Sequence, residues 1–348
     1  MGYMKMNAAI LLLNVVCLCT QFLRILPREI TDVYVMDNIA DTLVNNKPAS
    51  CSSPSSSCNL RSAFGYCIEQ VFTSPSAICA IHLYVGVSIP FNSSLGALNY
   101  SADTANYDNQ LHIYGNGSVV TSLSSSTSMA GFIYLSNTYL TINNLMVKEF
   151  SNLNGNGSVL SADGAILNVY NSTFKNNVAA NGGAVYASRN STLSIVDCIF
   201  TSNFASEYGG SIAVGYNSTV NIKGSMFDTN QATIGGGAVS IYEDNHYATI
   251  ANNVFMRNIA ITNYADKTEY DTYGGGAVFV YQHNMYLILR NNTFHENRAD
   301  YNNATYVSYT VGLGGAVTFV RYNDYALIES CYFQGNFGLF GGKYFDHT

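Results

Sequence analysis

The chain has 348 residues and a formal net charge of −7, and only 11% of its residues are charged, against roughly 25% in an average globular protein. Its 27 Tyr and 18 Phe supply enough apolar surface for a buried core, which excludes a disordered chain. The Lys and Arg are few and scattered, which excludes the basic stripe of a nucleic-acid-binding protein.

Residues 1–25 read as a secretory signal peptide. Lys5 is the only charge before an apolar run from Ala8 to Cys19, and Cys17 and Cys19 offer small side chains for cleavage. That run is too short to span a bilayer comfortably, although the uncharged stretch from Met6 to Leu23 also fits an uncleaved anchor. No other stretch has the length and apolarity of a membrane span. Residues 26–80 form a Cys-rich N-terminal capping region. Cys51, Cys58, Cys67 and Cys79 are expected to form two disulfides in an oxidising compartment, with three connectivities open. Their spacing matches no common zinc pattern, and neither a metal nor a cofactor is expected.

Residues 81–160 read as degenerate coils of a solenoid. Gln110–Gly117 and Leu140–Asn144 alternate as strands. From residue 161 to 348 a repeat of about 27 residues becomes regular. One landmark is a Gly pair followed by a small and then a β-branched residue, beginning at Gly182, Gly209, Gly236, Gly275 and Gly314, with a damaged copy at Gly341 and a shortened one at Gly164-Ala165-Ile166. The other is Phe-x-x-Asn, at Phe174, Phe200, Phe227, Phe255, Phe294 and Phe333. Stacking the copies aligns apolar columns: Val169, Ile195, Ile222, Ile250, Leu289 and Ile328 in one, and Val185, Ile212, Val239, Val278 and Val317 in another. Period-two alternation means strands, and identical columns mean strands stacked in register about 4.8 Å apart. The expected fold is all-β: a right-handed, single-stranded parallel β-helix of roughly nine or ten coils with a short N-terminal capping helix.

The corners carry columns of their own. Asn177, Asn203, Asn230, Asn258, Asn297 and Asn336 close the Phe strand. Asn190, Asn217, Asn245, Asn284 and Asn323 read as a second Asn column, a residue suited to repeated turns. Cys198 and Cys331 share a column of small residues, too many coils apart for a disulfide, and read as buried free thiols. Between neighbouring coils, Arg257 with Glu296 and Arg290 with Glu329 are expected to form surface ion pairs. The chain holds nine Asn-x-Ser/Thr sequons. Those at Asn92, Asn99, Asn116, Asn156 and Asn303 are the glycosylation candidates, whereas Asn190 and Asn217 have a role as turn residues.

The Gly-Gly-Ala-Val and Phe-x-x-Asn pair resembles the repeat of the chlamydial polymorphic outer membrane proteins and related β-helices. Cys58-Asn59-Leu60-Arg61-Ser62-Ala63-Phe64 looks like the motif that opens such folds with a capping helix, with Ser62 in place of the usual Glu. The resemblance implies a passenger-type surface domain, often adhesive. Unlike that family, the sequence to Thr348 shows no C-terminal membrane barrel.

No catalytic constellation is visible. The outward positions around each Phe-x-x-Asn bring no two carboxylates together in adjacent coils, as glycoside hydrolysis requires, and metalloprotease and nucleophile-elbow motifs are missing. The expectation is a non-catalytic secreted or cell-surface binding module whose partner is a surface protein or a glycan. The alternative is a carbohydrate-active β-helix enzyme of lyase or hydrolase type, which a close carboxylate pair in a groove would favour. Two long connections, Ile259–Gly274 and Arg298–Leu313, leave one corner of consecutive coils and hold Tyr264, Tyr270, Tyr273, Tyr301, Tyr306 and Tyr309. Insertions on one face of a solenoid are a usual place for binding, and these tyrosines are the partner-binding candidates.

Overall fold

Alternating apolar residues place one side of each short strand inward, and the Gly and Asn corners turn the chain so that the next strand lies above the last. The computed structural model describes residues 30–35, 58–74, 76–83, 86, 88–92, 97–122, 131–262, 274–301, 314–320, 322–338 and 344–346. Over these residues the chain forms three parallel sheets, of 17, 9 and 7 strands, wound as a parallel β-helix with the right-handed crossover such strands take. Each regular coil contributes two strands to the largest sheet, as Thr192–Val196 and Ile199–Thr201 do, and one to each of the others, as Phe204–Ala205 and Ile212–Tyr216 do.

The aligned columns are the observed registers. Val169, Ile195, Ile222, Ile250, Leu289 and Ile328 pair in series. The six Phe residues do the same, with ring centroids 4.8–4.9 Å apart. That spacing is the strand separation itself, so the backbone ladder holds the rings at stacking distance. Each such pair adds about 0.5–1.5 kcal/mol beyond its burial.

The Asn column below the Phe rings solves the corner's hydrogen bonding. The backbone N and the Nδ2 of Asn203 both donate to Asn230 Oδ1, each at 3.0 Å, and Nδ2 also donates to the Phe174 carbonyl at 3.0 Å. The pattern continues through Asn258, Asn297 and Asn336. A buried corner leaves no orphan amide.

The Gly pair has two separate causes, seen at Gly209-Gly210. Gly209 sits at φ +65°, in the left-handed region. Gly210 faces the next coil, where an added Cβ would run into the Gly237 carbonyl oxygen. One glycine serves conformation and the other close approach.

Three sequence readings are corrected. Ile166 pairs with Thr192, so Gly164-Ala165-Ile166 is the following corner and not a shortened Gly-Gly copy. The residues matching Gly182–Val185 are Gly157-Ser158-Val159-Leu160, because Leu160 pairs with Val185. Asn190 and Asn217 do not join the second Asn column. Asn245 Oδ1 accepts from Ser218 N at 2.8 Å, so buried Ser191 and Ser218 continue that column, while Asn190 and Asn217 are exposed one residue earlier at φ +66° and +50°. Cys198 is a buried free thiol, as expected, whereas the free thiol of Cys331 is half-buried.

At the N-terminal end the helix Leu60–Thr73 packs against Ile30–Val35 and Ile78–Leu83. Asn59 caps it, its Oδ1 accepting from Ser62 N at 2.8 Å, and Leu60, Ala63, Phe64, Cys67 and Val71 face the core. A disulfide joins Cys67 to Cys79. Cys58 is also disulfide-bonded, to a partner outside the described residues, where Cys51 also lies. Ile30–Val35 pairs in parallel with Ile78–Leu83, so a strand of the solenoid precedes the helix in the chain. Residues 1–25 lie outside the described residues. Among the described residues no helix is long and apolar enough to cross a membrane.

Candidate functional site

The outward side of the nine-stranded sheet is where the ladder changes character. Two outward columns run along it. One passes through Tyr186, Ala213, Ser240, Phe279 and Thr318. In the other, Gly215 lies beside Tyr242, since Val214 pairs with Ile241 and Tyr216 with Glu243. Tyr242 in turn stacks on Tyr281 at 4.8 Å. Large rings therefore stand on both sides of one coil that carries only Ala213 and Gly215. The missing side chains leave a cleft of about 190 Å³.

Its walls are Tyr186, Tyr208, Tyr216 and Tyr242. Tyr242 meets Tyr216 edge-on at 5.3 Å and Tyr208 at 5.7 Å, arrangements that the aromatic quadrupole favours. A Cβ at Gly215 would meet Ser188 Oγ and the hydroxyl of Tyr186, which leans over it, so a larger residue here would displace those side chains. At the rim Asn181 Nδ2 donates to Glu207 Oε2 at 2.8 Å, and Asn181 Oδ1 accepts from Tyr208 N at 3.2 Å. On the floor Ser240 is buried, and its Oγ has no hydrogen-bond partner among the described residues. Burial, then the neighbouring Tyr216, Tyr281 and Glu243 and a hydrogen bond with Tyr216, push the Tyr242 hydroxyl up to about 12, so it keeps its proton.

A second aromatic feature borders this face. From the second Gly to the next Phe the coils count 17 residues at Gly183 and Gly210 but 18 at Gly237, Gly276 and Gly315. The extra residue falls between the paired strands, since Ile212 pairs with Val239 but Asn221 with Thr249. It enlarges the corner and carries Tyr247, Tyr286 and Tyr325 outward. Their rings stack at 5.2 and 4.9 Å, nearly parallel, yet they are 65%, 42% and 71% exposed. All three have positive φ, at +61°, +57° and +58°. His283 and Tyr322 stack alongside at 5.3 Å.

The expected ion pair Arg290–Glu329 is present at 2.8 Å. Arg257 instead pairs with Asp228, at 3.0 and 2.6 Å through Nε and an Nη. Asp228 lies in the coil below, at the position following Phe227, and presents both oxygens to the guanidinium fork. Glu296 lies beside His295.

The sequence-derived binding candidates fall differently. Tyr264, Tyr270, Tyr273, Tyr306 and Tyr309 lie outside the described residues. Tyr301 ends the strand Arg298–Tyr301, paired with Thr262, so the two long connections leave side by side, but its side chain is outside the described set. Of the sequon asparagines, Asn99 is exposed and Asn92 half-buried. Asn116 is exposed, with its Nδ2 donating to the Leu83 carbonyl at 2.8 Å. Asn156 is half-buried, and its Oδ1 accepts from Asn181 Nδ2 at 3.1 Å. Asn303 lies outside. Neither the cleft nor the exposed Tyr ladder was singled out from sequence. Their signal was there, in the outward columns and the count of 17 against 18.

Residues 171–188 match the Chlamydia polymorphic membrane protein repeat. The chain carries a repeat of the polymorphic membrane protein type. The matched segment holds one complete pair of landmarks, Phe174 with Asn177 and Gly182 through Val185, and it bridges all three sheets of one coil. No curated protein and no solved structure matches the chain.

Proposed function

We propose that the chain is a non-catalytic module displayed at a cell surface or secreted, which adheres to a surface protein or glycan through the aromatic outer side of its later coils. The observation that carries this reading is the exposed ladder Tyr247, Tyr286 and Tyr325. A left-handed backbone opposes folding by about 1–2 kcal/mol at a non-Gly residue, and Asn or Gly avoids most of that. Three tyrosines in a row hold that conformation while leaving their rings exposed. Ring stacking offsets part of that cost, and a recognition surface accounts for the exposure that remains, since ordered Tyr offers area and a polar tip at low entropic cost. The matched repeat family, named for membrane proteins, agrees with a surface location.

The test replaces the ladder by Tyr247→Asn, Tyr286→Asn and Tyr325→Asn together. Asn suits positive φ, so the melting temperature should hold or rise while attachment of the purified chain to cells falls at least tenfold. Unchanged attachment overturns the proposal. Turnover of a polysaccharide by the parent chain would instead establish the enzymatic alternative.

A further inference from the structure

We propose that the cleft over Ala213 and Gly215 binds a single pyranose ring of a neutral saccharide. The inference goes beyond the Tyr247 ladder and stands on different residues. The cleft lies where Tyr186 of one coil and Tyr242 of the coil after next flank Ala213 and Gly215. At about 190 Å³ it lies below the roughly 300 Å³ at which pockets for larger ligands begin, so it takes one ring and not a chain.

The walls and floor select the chemistry. Tyr186, Tyr208, Tyr216 and Tyr242 present ring faces and edges to the C–H surfaces of a sugar. Ser240 supplies the deciding observation. Its hydroxyl is buried at 1% exposure and has no partner among the described residues. Buried polar atoms are nearly always satisfied, and an exception calls for an explanation. Its Oγ is closed to solvent, so a ligand hydroxyl satisfies it, as donor or acceptor, once the side chains beside it shift. At the rim Glu207 is not a bare anion, because Asn181 shares its Oε2. Asn181 spends both Nδ2 hydrogens, on Glu207 Oε2 and on Asn156 Oδ1, so the rim offers carboxylate acceptors to ligand hydroxyls, and a quaternary ammonium, which carries no hydroxyl, would leave Ser240 unpaired.

The experiment titrates the full chain with the methyl glycosides of glucose, galactose and N-acetylglucosamine, read by saturation-transfer NMR and calorimetry, with tetramethylammonium and N-acetyl-lysine amide in parallel. At least one glycoside should bind. Ser240→Ala should weaken it about tenfold, the loss of one hydrogen bond, while leaving the melting temperature unchanged or higher, because it removes an unpaired buried hydroxyl. A merely structural serine would not combine those two effects. Ala213→Tyr should abolish binding, and the column accepts it, since Tyr186 and Phe279 occupy the same position in other coils. If that variant fails to fold, Ser240→Ala decides. No binding of any glycoside, binding indifferent to Ser240→Ala, or binding only of the ammonium probes overturns the inference. Cell attachment that persists without any glycoside bound removes the cleft and leaves the Tyr ladder standing. Glycoside binding without cell attachment does the reverse.

Discussion

The coils between Thr173 and Gln334 and those between Ile78 and Asn156 share one parallel stack, yet different contacts hold them. In the later coils each column repeats one residue type, so the Phe rings stack nearly parallel at 4.8–4.9 Å and the Asn amides bond from coil to coil. In the earlier coils the Phe column continues as Val147, Val120 and Ile89, while Phe91, Phe132 and Phe150 fill the core from other positions, tilted or edge-on at 5.0–5.7 Å. There the register between Gln110–Ser122 and Tyr139–Lys148 shifts between Tyr114 and Ser118, and a helix and the Cys67–Cys79 disulfide supply further cohesion. The parallel backbone ladder therefore tolerates mixed side chains. Repetition adds a benefit that only equal heights allow, namely hydrogen bonds and ring stacking between identical neighbours.

The sharpest way to break this contrast is at the glycines. Gly210→Ala should destabilise the fold by more than about 4 kcal/mol and leave little soluble chain, because the new Cβ meets backbone of the next coil. Gly131→Ala in the earlier coils, where the nearest atoms lie at 3.0 and 3.2 Å, should lower stability by only about 1 kcal/mol. Soluble expression and chemical denaturation distinguish the two. Next comes Asn230→Ala, which strips partners from the Phe200 carbonyl and from the Asn203 amide in a buried corner. It should cost about 3–4 kcal/mol by denaturation, whereas Asn116→Ala, losing a single bond at an exposed left-handed position, should cost about 2 kcal/mol.

Replacing Cys67 and Cys79 by Ser should cost about 2–3 kcal/mol, and the loss should be regional. Hydrogen exchange is expected to accelerate at 78–122 and to stay slow at 192–294; a uniform change would show the two regions to be one cooperative unit. The smallest effect concerns the thiols. Burial above all pushes Cys198 up from 9.0 to about 12, so a disulfide reagent at pH 8 should label half-buried Cys331 and spare Cys198 until the chain unfolds. Because the folded value is raised, the stability linked to this thiol is fully present below pH 9 and is lost as pH rises toward 12. Cys198→Ser, which copies Ser172 and Ser225 of the same column, should therefore flatten the decline in melting temperature between pH 9 and pH 12 and change little at pH 7.

Much of the later half was legible because its determinants are local and repeated. Phe-x-x-Asn names both the ring that stacks and the amide that closes the corner, and each copy corroborates the others. Legibility failed where a column kept its place but changed its letters. Gly157-Ser158-Val159-Leu160 occupies the Gly-Gly position without looking like it. Asn190 and Asn217 carry the right letter one residue out of phase, and the hydrogen bond from Ser218 N to Asn245 Oδ1 shows which residue turns inward. The Cys67–Cys79 pair was one of three open connectivities, and spacing could not choose among them.

The sequence by itself determined the architecture and, from Phe174 onward, the register of the strands that follow each Gly pair and each Phe, because a period of two repeated at equal heights leaves a single way to bury the same residues together. Only the tertiary structure decided what the outside does. Whether an outward gap becomes a cleft depends on which rings stand in the coils above and below it, as Tyr186 and Tyr242 stand about Ala213 and Gly215. Whether an extra corner residue is hidden or displayed depends on the sign of φ that the corner imposes, as at Tyr247, Tyr286 and Tyr325. Both are relations between coils, set by the height and rotation of neighbouring strands, and no single repeat contains them.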